Sequence, residues 1–123
     1  MGDLDGRTFL VTGANTGIGY ATTEALATRG ATVYMACRSE ARARPARDQI
    51  AAATGNDDLH LLMLDLADLA SVRACADSFE QTGAPLHVLV NNAGLAGKRG
   101  VTPSGFELAF ACTEVVKNRV FGP

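Results

Sequence analysis

No stretch of this chain carries enough consecutive apolar residues to span a bilayer, and its N-terminus lacks the layout of a secretory signal. Cysteine is scarce: Cys37, Cys75 and Cys112 are scattered, odd in number and without C-x-x-C spacing, which speaks against both a disulfide framework and a zinc site. The two histidines, His60 and His87, stand at strand starts without a ligand-spaced partner and read as structural. A net charge of −2 leaves no general excess of cations for a polyanion, so nucleic acid is not an expected partner. There is no internal repeat beyond an alternation of strand and helix patterns. What remains is ordinary globular composition, 47% hydrophobic and 20% charged, in 123 residues, enough for one domain with a real core. The expected setting is soluble, reducing and cytoplasmic, with no metal and no membrane partner.

The organising stretch is Val11-Thr12-Gly13-Ala14-Asn15-Thr16-Gly17-Ile18-Gly19. Phe9-Leu10-Val11 enters it as a strand, and an alanine-rich helical pattern from Ile18 to Arg29 leaves it. The first amides of such a helix lack intrahelical partners and sit at the positive end of its dipole, an arrangement that favours anions. Gly13 allows a tight exit from the strand, Gly17 lets a pyrophosphate approach the backbone, and Gly19 lets helix and strand pack closely. The spacing is G-x-x-x-G-x-G, not the G-x-G-x-x-G of the general dinucleotide fingerprint. A close-packed strand–helix corner needs the same glycines without any ligand, so the turn alone leaves both readings open.

Along the chain, Arg7–Thr12 is the first strand, and Gly30 stops the helix that follows. Thr32–Ala36 is a second strand. Ser39 caps a helix to about Thr54, with Pro45 expected to delay its start or bend it. Leu59–Leu64 is a continuous apolar run of the kind a strand buried on both faces carries. Asp68 caps a helix with the stripe Leu69, Val72, Ala76 and Phe79, ended by Gly83-Ala84-Pro85. Leu86–Asn91 is the fourth strand, and Ser104-Gly105-Phe106-Glu107 has the capping-box form of a last helix. This rhythm predicts an α/β fold with a doubly wound parallel sheet. Right-handed crossovers give the strand order 3-2-1-4, with a ligand crevice between strands 1 and 4. Gly13–Gly19 and Asn91–Gly94 both fall at that edge.

Asp65 closes the third strand at the same end of the sheet. It either accepts from an adenine amino group or serves as a turn or capping aspartate. At the exit of the second strand, where dinucleotide folds place an acid for the ribose hydroxyls or an arginine for a 2′-phosphate, the chain reads Ala36-Cys37-Arg38-Ser39. Arg38 offers a planar fork for phosphate, and Arg42 adds charge one turn on. NADP is therefore favoured over NAD, with Glu40 the residue that opposes this. Arg44 and Arg47 read as a solvated basic face, Lys98-Arg99 as a loop pair, and Ser104 as a cap.

Taken together, Thr12-Gly13-Ala14-Asn15-Thr16-Gly17-Ile18-Gly19, Asp65-Leu66 and Asn91-Asn92-Ala93-Gly94 resemble the short-chain dehydrogenase/reductase family over about Leu4 to Phe110. Ala36-Cys37-Arg38, Leu86–Val90 and Gly105-Phe106-Glu107 look like its retinol-dehydrogenase-like branch. The resemblance implies a Rossmann fold binding NAD(P)(H) and hydride exchange with a small-molecule alcohol or carbonyl. It implies a cofactor site formed by Thr12, Gly13, Asn15, Thr16, Gly17, Ile18, Gly19, Arg38, Asp65, Leu66, Asn92, Ala93 and Gly94.

The family's serine and Tyr-x-x-x-Lys pair have no counterpart here. A lysine beside a tyrosine lowers the phenol's pKa for proton donation, yet neither Tyr20 nor Tyr34 has a lysine four residues on. After Phe110 the chain runs Ala111-Cys112-Thr113-Glu114-Val115-Val116-Lys117 to Pro123, and Asn118 is out of register with the family's active-site asparagine. The expectation is a truncated Rossmann half-domain at 1–110 with a divergent tail at 111–123 and no catalytic residue of its own. The alternatives to an oxidoreductase are a catalytically inactive NADP-binding fragment and a truncated product with no function. Leu86–Val90 would then form an apolar sheet edge prone to association, and the helix from Leu69 to Gly83 would cover one face largely alone.

Overall fold

The computed structural model describes residues 2–15, 17–65 and 68–90. Within them the strand and helix patterns become β1 (Thr8–Thr12), α1 (Gly17–Thr28), β2 (Thr32–Cys37), α2 (Glu40–Thr54), β3 (Leu59–Met63), α3 (Leu69–Gln81) and β4 (Val88–Val90). The sheet order is β3-β2-β1-β4, and every pairing is parallel. This is the α/β, Rossmann-like arrangement that the strand–helix rhythm predicts. In register, Val11 lies opposite Met35 on one side and Val90 on the other.

Successive strand residues face opposite sides of a sheet, and here the two sides build two cores. Phe9, Val11, Val33, Met35 and Cys37 face α1 and α2, where Ala27, Ala43, Ala46 and Ile50 meet them. The alanines let both helices lie close to the sheet. Leu10, Tyr34, Ala36, Leu62 and Leu64 face the other way, against Val72, Cys75 and Phe79 of α3. Phe79 meets Tyr34 edge-on at 4.9 Å, a favoured aromatic geometry. Among the described residues α3 is the one helix on that face. No helix among them is long and apolar enough to cross a membrane.

The caps follow the sequence. Ser39 accepts from the Arg42 amide at the start of α2, and Gly55 ends that helix at φ 75°. Asp68 accepts from the Ala70 amide at the start of α3. Asn56 adds a clamp: its side-chain amide donates to the carbonyls of Ala27 (3.0 Å) and Ala31 (2.9 Å), and its oxygen accepts from the Asp58 amide at 2.8 Å.

Four expectations are corrected. Of the two effects expected of Pro45, the late start does not occur: α2 begins at Glu40 directly after its cap, with Pro45 inside it. The proline lies on the exposed side with Ala41, so the carbonyl it deprives of a partner is open to water. Strand β3 reaches both cores, Leu59 on one face and Leu62 on the other, but its burial is not continuous: His60 and Met63 are exposed at the sheet margin. The buried stripe of α3 is Val72, Cys75, Ala76 and Phe79, and Leu69, at the helix's first position, is 38% exposed. Strand β4 is shorter at its start than expected, although the His87 amide still bonds the Thr8 carbonyl at 3.0 Å and prolongs the ladder. The expected helix at Ser104 lies outside the described residues.

Candidate functional site

The C-terminal ends of β1, β2 and β3 lie side by side, because Thr12 is level with Ala36 and Cys37 with Met63. Every sequence-predicted site residue that the structure describes is at this edge. Thr16, Leu66, Asn92, Ala93 and Gly94 lie outside the described residues.

Past Thr12 the chain turns sharply. Gly13 has φ 63°, and its amide donates to the Ala36 carbonyl at 2.8 Å, tying the turn to the end of β2. Ala14 is fully buried. The buried Cys37 side chain shares a core with Ala14, and the Ala14 and Asn15 amides favour its thiolate form. Burial pushes that thiol's pKa up more than those amides pull it down, so Cys37 is a neutral anchor and not a nucleophile. Thr12 completes the attachment on the other side, its hydroxyl donating to the Val90 carbonyl at 3.5 Å.

Gly17 opens α1 at φ 56°, and a methyl group placed on it would meet no heavy atom within 4 Å. Packing therefore does not require a glycine here; the backbone angle does. Ile18, the next residue, is 76% exposed, an unusual position for a large aliphatic side chain at a helix start. Gly19 is buried, and its carbonyl accepts from the Thr23 hydroxyl at 2.8 Å. The first turn of α1 carries no acidic side chain to offset the positive end of the helix.

Arg38 follows β2 directly and is exposed. Among the described residues it has no ion pair. Glu40, the acid that opposed an anion site here, is paired with Arg44 one turn along α2, and Arg47 pairs with Asp48 at 3.0 Å. Both arginines are thus surface-pair residues, in line with the sequence reading.

Asp65 sits half-buried just past β3. Its amide donates to the Ser71 hydroxyl at 2.8 Å, and its carbonyl accepts from the Asp68 amide at 3.0 Å. Asp68 caps α3 through the Ala70 amide, while the bond from the Asp68 amide to the Asp65 carbonyl makes Asp65 part of the turn, so the turn reading of Asp65 stays open beside the adenine one. Sequence reasoning missed Cys37 as the anchor of the glycine turn and Ser71 as a partner of Asp65. A serine in the first turn of a helix already capped by Asp68 was the signal for the second.

The histidines belong to the opposite ends of the strands. His60 stacks on Tyr34 at 4.8 Å, and its Nε2 lies 2.6 Å from Asp58 Oδ1. The Nδ1 of His87 accepts from the Thr8 amide at 2.9 Å. The tyrosines are also engaged elsewhere: the Tyr20 hydroxyl donates to Gln49 at 3.3 Å, and Tyr34 is packed between His60 and Phe79. No group of three metal-ligating side chains occurs among the described residues. The arrangement is thus an amide-lined, acid-free helix start with one exposed arginine and one carboxylate on neighbouring strand ends. Chemically it suits a ligand that has phosphates and a base.

Comparison with known proteins gives the same direction. A family model described as short chain dehydrogenase matches residues 7–116. The chain is similar to the short-chain dehydrogenase/reductase drtF of Aspergillus calidoustus, 48% identical over 105 residues that make up 85% of this chain and 33% of that protein. It is 46% identical to mouse retinol dehydrogenase 11 over 106 residues, 85% of this chain and 34% of that one. The NADPH-bound carbonyl reductase from chicken fatty liver superposes with a TM-score of 0.75 at 28% identity, covering 98% of this chain and 49% of that structure. The chain spans about a third of the length of the two sequence relatives.

Proposed function

The chain belongs to the short-chain dehydrogenase family, and from that premise we propose that it binds NADP(H) and provides the cofactor site of an oxidoreductase acting on a small-molecule alcohol or carbonyl. The observation that carries this is the start of α1, where Gly17 has a positive φ and open space above it at the sheet's switch point, and where a helix's first amides lack intrahelical partners. A pyrophosphate fits that cradle, and a side chain at this position would fill it. In this reading Gly13, Asn15, Thr16, Gly17, Ile18 and Gly19 hold the pyrophosphate and its flanking ribose. Asp65 and Leu66 take the adenine, and Asn92, Ala93 and Gly94 border the nicotinamide side. The bound nicotinamide supplies hydride exchange with the substrate carbon.

Arg38 decides between the cofactors. Its fork is exposed at the strand end where a 2′-phosphate is read, and Glu40 is held by Arg44. The two buried thiols, Cys37 and Cys75, fit the reducing, cytoplasmic setting that we also propose. Reduction of a carbonyl requires a proton donor as well as a hydride, and neither Tyr20 nor Tyr34 is placed for it. The function assigned to these residues is therefore to bind and orient the cofactor.

The test is a thermal melt of the chain titrated separately with NADPH and NADH. A ligand that binds only the folded state stabilises it by about 2.7 kcal/mol at a hundred times its Kd. The expected result is a cooperative melt raised more by NADPH than by NADH at equal concentration. A melt that neither cofactor shifts would overturn the proposal. Oxidation of NADPH by a panel of aldehydes and ketones, followed at 340 nm, separates turnover from binding alone.

A further inference from the structure

The turn from β3 to α3 holds one residue unusually firmly. The Leu64 amide donates to the Cys37 carbonyl at 2.8 Å, one rung beyond the end of β3. Asp65 follows, past the last paired residue of β3. Its amide turns instead to the Ser71 hydroxyl at 2.8 Å, and its carbonyl accepts from the Asp68 amide at 3.0 Å. The helix does not need either group for its own start. Asp68 already caps it through the Ala70 amide at 3.0 Å, and the Val72 amide bonds the Asp68 carbonyl at 3.1 Å. Ser71 therefore contributes to the placement of Asp65 and not to the capping of α3.

A backbone held at both its amide and its carbonyl has its φ and ψ fixed, and with them the direction of the Cα–Cβ bond. We propose that Ser71 is a positioning residue that aims the Asp65 carboxylate at the exocyclic amino group of adenine, so that base selectivity depends on a hydroxyl that does not itself touch the base. The proposal rests on the reading of Asp65 as the adenine acceptor. It also assigns the base contact to the carboxylate, because the Asp65 amide is already bonded to Ser71. A carboxylate accepts hydrogen bonds and does not donate them. It discriminates for the 6-amino group of adenine and against the 6-oxo group of hypoxanthine.

The experiment measures Kd for NADPH and for its hypoxanthine analogue, by nicotinamide fluorescence, on the full chain and on Ser71→Ala and Ser71→Thr. The wild-type chain is expected to prefer the adenine cofactor by about 10-fold or more, the worth of one hydrogen bond to a charged acceptor. Ser71→Ala reduces that preference to about 2-fold through weaker NADPH binding, and Ser71→Thr, which keeps the hydroxyl, restores it. A purely structural serine gives a different pattern. Equal weakening of both cofactors, or an unchanged preference in Ser71→Ala, overturns the proposal. So does an alanine variant that no longer melts cooperatively, since the hydroxyl would then serve the fold. Wild-type binding of both cofactors without preference overturns the proposal and leaves the cofactor site standing. Wild-type binding of neither overturns both.

Discussion

Gly17→Ala separates a glycine kept for the fold from one kept for a ligand. With φ at 56° and no heavy atom within 4 Å of an added methyl, the folded chain loses backbone comfort but gains no clash. A non-glycine residue in the left-handed region costs about 1–2 kcal/mol. Restricting the unfolded chain offsets about 0.4–1 kcal/mol of that. The net loss is about 1 kcal/mol, which lowers Tm by roughly 3–6 °C for a chain of this size. Binding is another matter, because the methyl would occupy the space through which, in the proposed site, a pyrophosphate reaches the helix amides. Losing one or two charge-assisted hydrogen bonds, at about 1.5–3 kcal/mol each, weakens binding on the order of 100-fold. The assay is the melt with and without NADPH, with Gly55→Ala as the control. Gly55 also has a positive φ, 75°, with open space around it, but it caps α2 away from the site. Both variants should melt a few degrees low, and only Gly17→Ala should lose the NADPH-induced rise. If Gly17→Ala keeps that rise, the pyrophosphate does not rest on this turn and the reasoning fails.

Arg38→Glu should weaken NADPH binding about 10- to 100-fold, from the loss of a charge-assisted bond to the 2′-phosphate, while leaving NADH nearly unaffected; paired titrations decide it, and equal loss of both would make Arg38 a support of the fold. The Thr32 hydroxyl, with His60 beside it, holds the Asp58 carboxyl below its ordinary 3.8. A depressed folded pKa means stability present above 3.8 and lost as pH falls through the lowered value. Asp58→Asn should therefore melt lower than wild type at pH 7 by the equivalent of under about 1 kcal/mol, as expected for an exposed group, and converge with it as pH falls through the lowered value; parallel Tm–pH curves would refute this. Burial pushes the Cys75 thiol up to about 11 from 9.0, which lowers its thiolate population at pH 8 about 100-fold. Mass mapping after brief alkylation of the native chain should find Cys75 and Cys37 unmodified, and rapid labelling of either would contradict their burial.

Local pattern made most of this fold legible. The odd and even residues of β1 and β2 are apolar on both sides, so they had to be central strands with helices on each face. The caps at Ser39, Gly55 and Asp68 follow from side-chain chemistry acting over two or three residues. Failures came where the deciding contact was distant or where a rule ignored position. The partners of Asn56, Ala27 and Ala31, lie 29 and 25 residues away, and no spacing announces them. Pro45 breaks a helix only where the carbonyl it orphans has no water, and on the exposed side of α2 it has. Strand β3 has the composition of an interior strand but the place of a marginal one. That place was already contained in the order 3-2-1-4, which sets the third strand outermost.

The candidate site could be proposed from sequence for a related reason: it is built mainly from backbone. Amides at a turn and a helix start need glycines at fixed spacing, and glycine spacing can be read from a sequence. Side-chain support cannot be read as easily, since a hydroxyl or thiol reveals its role only through what lies beside it. The segment Cys37-Arg38-Ser39-Glu40 shows how much one strand exit contains. Cys37 anchors the glycine turn from beneath, and Ser39 caps α2. Glu40 places a charge at the positive end of that helix and pairs with Arg44. Changing any of these three disturbs the turn or the helix before it reaches the cofactor. Arg38 alone is exposed, unpaired among the described residues and outside both structural tasks. Arg38→Glu is therefore expected to leave the fold intact, and that independence makes it the residue at which the proposed cofactor preference is best tested.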